Sequence, residues 1–189
     1  MIKHLVMNNR SRRRFYQEHE VTLGVLRELI DLARLSASAA NMQPLKYMLS
    51  CDPKKNGLIF PCIRWAGYLE DWSGPPEGER PSGYIIVLGD TEISQTFGCD
   101  HGIAAQTMLL GATERGLGGC IIGNVDRQGI RSALRIPPRY EILLVLALGK
   151  PRETVVLETV GASGDVRYWR DTESIHHVPK RRLDDIVID

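Results

Sequence analysis

The 189 residues include only four cysteines, three phenylalanines and three tryptophans, and charge is nearly balanced: 24 Lys and Arg against 23 Asp and Glu give a formal net charge of +1. Each shortage narrows the possible functions. Cys51, Cys62, Cys99 and Cys120 are widely spaced with no Cys-x-x-Cys, so reduced, mostly buried thiols are expected rather than a disulfide framework. A near-neutral chain has no global basic field of the kind nucleic-acid binders carry. No apolar run approaches the roughly 20 residues of a membrane span. Met1–Val6 lacks the apolar segment and cleavage site of a signal peptide. No internal repeat or low-complexity segment is present. These absences predict one domain over residues 1–189, cytoplasmic, with neither nucleic acid nor membrane as a partner.

What the chain does contain is a series of small, ordered signals. Ile2, Leu5 and Val6 share one helical face, which predicts a short helix ending near Asn8. Arg10-Ser11-Arg12-Arg13-Arg14-Phe15 then concentrates guanidinium groups, which bind phosphate through paired charge-assisted hydrogen bonds. Thr22 can cap a helix to about Leu35, with Leu23, Leu26, Leu29, Ile30 and Ala33 as its apolar stripe. Ser36–Pro44 is a turn of small residues carrying two carboxamides, Asn41 and Gln43, suited either to an ordinary helix exit or to reading a flat polar heterocycle. Because Gln43 precedes proline, an extended backbone is expected there.

Leu45–Cys51 reads as a strand that ends at Asp52-Pro53. Trp65, Tyr68, Leu69 and Trp72 recur at helical spacing, an aromatic face expected in a core or oligomer interface, or as one wall of a substrate pocket. Tyr84–Leu88 is a continuous apolar run, hence a central strand covered on both faces. Asp100 can cap an Ala/Gly-rich helix from His101 to Arg115, with Gly116 closing it. Gly116-Leu117-Gly118-Gly119 follows a helix and leads into a strand, the reverse of a dinucleotide fingerprint. A helix over Asp126–Leu134, a strand over Glu141–Leu148, an extended Tyr168–Arg170 and a short element over Leu183–Ile188 complete the reading. Lys180-Arg181-Arg182 is a second basic cluster.

The ordered set Arg10-Ser11-x-Arg13-x-Phe15, Ser38-Ala39-x-Asn41-x-Gln43-Pro44, an Ala/Gly-rich helix, Gly116–Gly119 with Ile122-Gly123, and Gly149-Lys150-Pro151 resembles the FMN-dependent nitroreductase family over essentially the whole chain. The tail around His177-Val178-Pro179-Lys180-Arg181 resembles a compact nitroreductase-like subgroup. The resemblance implies an α+β fold with a mixed, mainly antiparallel sheet sandwiched by helices, and an intertwined homodimer with FMN at its interface. Carried over by position, it implies that Arg10, Ser11 and Arg13 hold the phosphate end, with Lys180 and Arg181 closing on it. Ser38, Asn41 and Gln43 would contact the ring and ribityl chain, partly from the partner chain. Ile122 and Gly123 would present amides toward the ring's N5 edge.

The implied activity is electron transfer from NADH or NADPH through FMN to a nitroaromatic, quinone or other conjugated acceptor, with donor and acceptor using one face in turn. No side chain is required as a nucleophile and no metal is implied. Two alternatives stand beside it: a flavin-binding protein without nitroreductase activity, in flavin processing or sensing, and a metal-dependent enzyme using Cys99, His101 and Cys120, or His176-His177. Two departures from the family pattern are Asn9, where another phosphate-binding arginine is frequent, and Leu45, in place of a frequent tryptophan. The Trp65–Trp72 segment is also distinctive.

Overall fold

The computed structural model describes residues 1–188. The elements in chain order are α1 (Ile2–Asn8), β1 (Phe15–Tyr16), α2 (Leu23–Arg34), β2 (Leu45–Ser50), α3 (Pro53–Ile59), β3 (Gly83–Asp90), α4 (Asp100–Glu114), β4 (Gly118–Ile122), α5 (Arg127–Leu134), β5 (Tyr140–Pro151), β6 (Val155–Thr159), β7 (Trp169–Arg170) and β8 (His176–Lys180). Single 3-10 turns occupy Ala39–Asn41, Phe60–Cys62 and Leu183–Asp185.

β3 and β5 are the most apolar strands and accordingly lie at the centre. β5 pairs antiparallel with β3 on one side and with both β4 and β1 on the other, and β2 closes the far edge against β3. Every residue of β3 is buried. Because successive strand residues face opposite ways, Ile85 and Val87 join one core with Leu26 and Leu29 of α2 and Met108 of α4. Tyr84, Ile86 and Leu88 join a second core with Ile59 of α3 and Ile130 of α5. The sheet is thus covered by α2 and α4 on one face and by α3 and α5 on the other. The small residues of α4 permit that closeness: a Cβ on Gly111 would stand 2.3 Å from Leu32 Cδ1.

The remaining strands form a separate small sheet in which β8 pairs parallel with β6 and antiparallel with β7. Adjacent histidines of β8 face opposite ways. His177 is stacked on Trp169 at 4.0 Å, and its ring nitrogens meet Glu158 of β6 at 2.5 Å and Asp171 at 3.1 Å. Its pKa is raised above the ordinary 6.5, first by the hydrogen bond to Asp171. His176 is buried instead and touches Arg13, with Nε2 3.2 Å from Arg13 Nη1.

Glu153, just after β5, joins the two sheets. Its fully buried carboxylate accepts hydrogen bonds from the backbone N–H groups of Arg13 and Arg14 and from Arg170 Nη2 of β7, while its carbonyl accepts from Arg12 Nη1 at 2.6 Å.

Several expectations are corrected here. Asp52-Pro53 does not simply end β2. Asp52 accepts from Lys55 N–H at 2.8 Å and Pro53 opens α3, the N-cap and first-turn proline pattern. Residues 65–72 are not helical. They form turns in which Trp65 is buried and Trp72 meets it edge-on at 6.5 Å. That segment docks the small sheet: Tyr68 packs on Tyr168 at 4.9 Å and Arg170 lies over Trp72 at 4.8 Å. β6 has no counterpart in the sequence reading. Only Cys120 of the four cysteines is buried, and Cys99 is exposed.

Two outcomes follow. Removing one partner of a buried charge network leaves uncompensated charge, so Glu153→Ala should lower unfolding free energy by about 3–5 kcal/mol in urea titration. The raised pKa of His177 means its contribution is complete below the ordinary 6.5 and disappears as pH rises through the folded value. Thermal melts of His177→Gln and the parent should therefore differ most near about pH 6 and converge near about pH 9.

Candidate cofactor site on the free edge of β4

β4 pairs on one side only with β5, leaving its other edge open except where Ser11 bridges to Gly119. Arg12 N–H donates to Gly119 O at 2.9 Å, so Gly119 turns its backbone toward the open edge. Strand alternation then turns the Ile121 amide the same way and directs the Ile122 amide toward Val145 of β5. Gly119 is small for a reason: a Cβ there would stand 2.5 Å from Ala147 O and 2.8 Å from Leu109 Cδ2. Gly123 follows directly beyond the strand, and its carbonyl accepts from Arg127 at 3.3 Å. From Ser11 and Gly119 to Gly123 is four residues, about 13 Å of exposed edge.

The arginines divide into those holding the fold and one directed elsewhere. Arg12 binds the Glu153 carbonyl, and Arg14 is clasped bidentately by Glu79. Arg13 is nine-tenths buried, lies over Tyr168 at 4.8 Å and bonds His176. Arg10 differs. Its Nη2 reaches Val6 O at 2.6 Å, its Nε is buried without a partner, and among the described residues no carboxylate pairs with it. Next to it the Ser11 side is exposed. Arg10 and Ser11 can hold a phosphate, whereas the buried Arg13 is turned into the body of the protein.

Lys180 and Arg181 are exposed at the end of β8, and no hydrogen bond or ion pair among the described residues joins them to Arg10–Arg13. The β8 residue that does meet Arg13 is His176, four positions or about 13 Å earlier. The sequence offered His176 only as a possible metal ligand beside His177, since its contact with Arg13 is long-range. Burial, aided by the nearby Arg13 and Arg170 charges, lowers the His176 pKa to about 4, so it is neutral and its Nε2 accepts from Arg13.

Ser38, Asn41 and Gln43 lie at the opposite corner of the sheet. Pro44 O accepts from Asp90 N–H and Leu45 pairs with Gly89, which pairs with Glu141. Gly119 pairs with Leu148, about 23 Å away along β5, and β2 is three strands across from β4. One chain therefore does not bring the turn to Arg10 and Ser11.

Within the turn, Ser38 Oγ donates to Asp100 Oδ2 at 2.6 Å and accepts from Gln43 N–H at 2.9 Å. Asp100 also accepts from Ala39 N–H at 3.0 Å. Asp100 was expected to cap α4 and instead begins it, its buried carboxylate serving the turn. Ala40, Asn41 and Gln43 have φ of 49°, 54° and 51°. The extended backbone expected of Gln43 before proline is thus overridden by the Ser38 bond and by Gln43 Nε2 donating to Asn41 Oδ1 at 3.1 Å. Three non-glycine residues in the left-handed region store strain that Ser38 and Asp100 sustain, and both carboxamides are left exposed.

Among the described residues no three His, Cys, Asp or Glu side chains are grouped to hold a metal ion, and no helix is long and apolar enough to cross a membrane. A cavity of about 540 Å³ between the 17–23 loop and α3 is lined by Val21, Asn56, Phe60 and Tyr84 and by none of the expected site residues.

The profile of the Nitroreductase family matches residues 82–150, which contain β3, α4, β4 and most of β5. A nitroreductase family protein from Streptococcus pneumoniae TIGR4 superposes with a TM-score of 0.73 at 17% identity, covering 100% of both chains. The fold is the nitroreductase fold. A proposed NADH dehydrogenase/NAD(P)H nitroreductase from Parabacteroides distasonis aligns at 22% identity, covering 90% of this chain and 96% of that one, with a TM-score of 0.66. An FMN-dependent nitroreductase from Clostridium difficile R20291 aligns at 23% identity over 81% of this chain and 88% of that one, with a TM-score of 0.65. No curated protein matches the sequence. The resemblance read from the ordered motifs is thereby shown, and so is the helix-covered, mainly antiparallel sheet.

Because Asp100 carries two hydrogen bonds of the strained turn, Asp100→Ala should cost about 2–4 kcal/mol of stability and selectively accelerate hydrogen exchange at the Ala39 and Gln43 amides.

Proposed function

We propose that this protein is an FMN-dependent NAD(P)H oxidoreductase, acting as a cytoplasmic homodimer whose single-domain chains, residues 1–189, share two flavin sites. The observation that carries the reading is the open β4 edge, with Arg10 and Ser11 at one end and Gly123 at the other. The free Arg10 guanidinium suits a phosphate, and about 13 Å of unpaired edge suits an elongated cofactor. FMN, when bound, supplies the two-electron chemistry between a nicotinamide donor and a conjugated acceptor such as a nitroaromatic or quinone.

The chain's own residues bind and orient. Arg10 and Ser11 hold the phosphate. Arg13, clamped beneath them, adds positive potential from behind. Gly123 and the end of β4 at Ile122 border the ring, with the outward amides near its N5 edge. Asn41 and Gln43 read the ring and ribityl chain of the flavin whose phosphate the partner chain holds. Ser38 builds their turn. Lys180 and Arg181 extend from β8 toward a phosphate once two chains meet. The separation of the turn from Arg10 within one chain supports the shared site. So does apolar surface left uncovered, since no α1 residue is buried and Ile2, Val6, Met7, Leu183, Ile186 and Val187 are exposed. Donor and acceptor alternate at one open face in a ping-pong sequence.

Purified protein mixed with FMN should acquire a flavin spectrum that NADH or NADPH bleaches anaerobically. A protein that retains no flavin at micromolar concentration overturns the proposal. Loss of one charged hydrogen bond to phosphate should raise the FMN dissociation constant of Arg10→Ala about 10- to 100-fold. Asn41→Ala should weaken FMN with an unchanged melting temperature, and unaltered affinity would remove the turn from the site.

A further inference from the structure

The cavity between the 17–23 loop and α3 has a volume of about 540 Å³, within the roughly 300–1,000 Å³ of small-molecule sites. Tyr84, in its wall, pairs with Ala147 of β5, which pairs in turn with Cys120. Tyr84 therefore lies two strands away from β4 and its open edge, and the cavity is separate from the candidate cofactor site. Val21, Phe60, Pro81 and Tyr84 give it an apolar, partly aromatic wall, in which Val21, Pro81 and Tyr84 are buried.

Most polar groups of that wall are already answered. Asn56 Oδ1 accepts from Ser50 Oγ at 2.7 Å, and Asn56 Nδ2 donates to Ser82 O at 2.9 Å. Gln17 Oε1 accepts from the Gly78 and Arg80 amides, and Glu77 accepts from Gln17 Nε2 at 2.9 Å and from Arg80 Nη1 at 2.8 Å. The Arg80 guanidinium also lies over the Phe60 ring at 4.3 Å. These bonds fix the wall before any ligand arrives. The Tyr84 hydroxyl is the exception. Its residue is 1% exposed, yet the hydroxyl bonds no protein group among the described residues. Burial holds its pKa above the ordinary 10, so it remains a donor at neutral pH. The charge of Arg80, another wall residue, acts on it and places it on the cavity side of the ring. A buried hydroxyl needs a hydrogen-bond partner, and the cavity is the space from which one can come. Glu18 and Glu20 stand exposed at the cavity's mouth with no ion pair among the described residues. Solvated carboxylates attract a cation only weakly, but their sign disfavours an anion.

We propose that this cavity is a second ligand site, for a small uncharged aromatic molecule whose one hydroxyl or carbonyl group meets the Tyr84 hydroxyl while its ring packs against Phe60 and Val21. Anionic flavin and nicotinamide nucleotides are not its occupants, because the mouth carries two unpaired carboxylates. The site stands independently of the flavin reading. Gly57 offers a way to close it: it lines the cavity from α3, and a Cβ there would meet no atom within 4 Å.

Equilibrium dialysis of the purified full chain against 2-naphthol, naphthalene and 2-naphthoate tests the assignment. 2-Naphthol should bind saturably, and Gly57→Phe should abolish that binding. Tyr84→Phe removes a hydroxyl that no protein group uses, so its melting temperature should match the parent's. Its dissociation constant for 2-naphthol should rise about 3- to 10-fold, the loss of one hydrogen bond, with that for naphthalene unaltered. 2-Naphthoate should bind at least about tenfold more weakly than 2-naphthol, and saturating FMN should not displace 2-naphthol. No saturable binding of 2-naphthol, or affinity unaltered in Gly57→Phe or in Tyr84→Phe, overturns the proposal. So does naphthalene weakened equally by Tyr84→Phe, 2-naphthoate bound as tightly as 2-naphthol, or displacement by FMN. Binding of 2-naphthol with the expected dependence on Gly57 and Tyr84, in a protein that takes up no FMN, keeps this site and overturns the flavin reading instead.

Discussion

The buried carboxylate of Glu153 is the contact on which the rest of the site depends. It sits at the exit of β5 and accepts from the Arg13 and Arg14 amides, and so presses the arginine segment onto the edge shared by β4 and β5. Its third bond, to Arg170, ties the small sheet to the large one. A carboxylate with no exposed surface needs a donor at each oxygen, and here two backbone amides serve Oε1 and the Arg170 guanidinium serves Oε2. The direction of each arginine follows. Those nearest Glu153 and Glu79 are consumed by structure, and Arg10, two residues before Arg12, has no carboxylate partner among the described residues.

A second carboxylate does comparable work at the far corner. Asp100 holds Ser38 and Ala39, and through Ser38 the amide of Gln43. Three residues are thereby kept in a backbone region they would leave if free, and the two carboxamides project outward. Energy stored in such a turn needs a compensating anchor, and α4, packed into the core through Ala105, Met108 and Ala112, is rigid enough to provide it. Each half of the candidate site thus has its own buried acid behind it. The two halves lie at opposite corners of the sheet within one chain, which is why the proposed flavin site calls on two chains.

Much of this was legible in residue order. The apolar run of β3, the Thr22 cap and the stripe of α2 were read correctly, except that Leu23 is exposed, because they are local signals with local causes. Asp52-Pro53 was read as a stop when it was also a start, since a strand end and a helix N-cap favour the same residues. The Trp65–Trp72 spacing imitated a helix, yet the aromatics are held by partners elsewhere: Phe60 on Trp65, Tyr168 on Tyr68 and Arg170 on Trp72. His176 was legible only as a possible metal ligand beside His177, because its contact is with Arg13, a residue 163 positions away.

By itself the sequence determined the fold, through the order of its motifs, and the candidate site groups, the guanidinium, hydroxyl and carboxamide side chains at fixed places. Side-chain chemistry and periodicity are properties of the chain and need no folding to be read. The tertiary structure alone decided which of those groups are free. Arg10 and Arg13 are the same residue type three positions apart, but one has an unanswered Nε and no carboxylate partner, and the other is packed between Tyr168 and His176. Competition for hydrogen-bond partners is settled only when distant segments meet, and in this protein Glu153, Asp100 and His176 settle it.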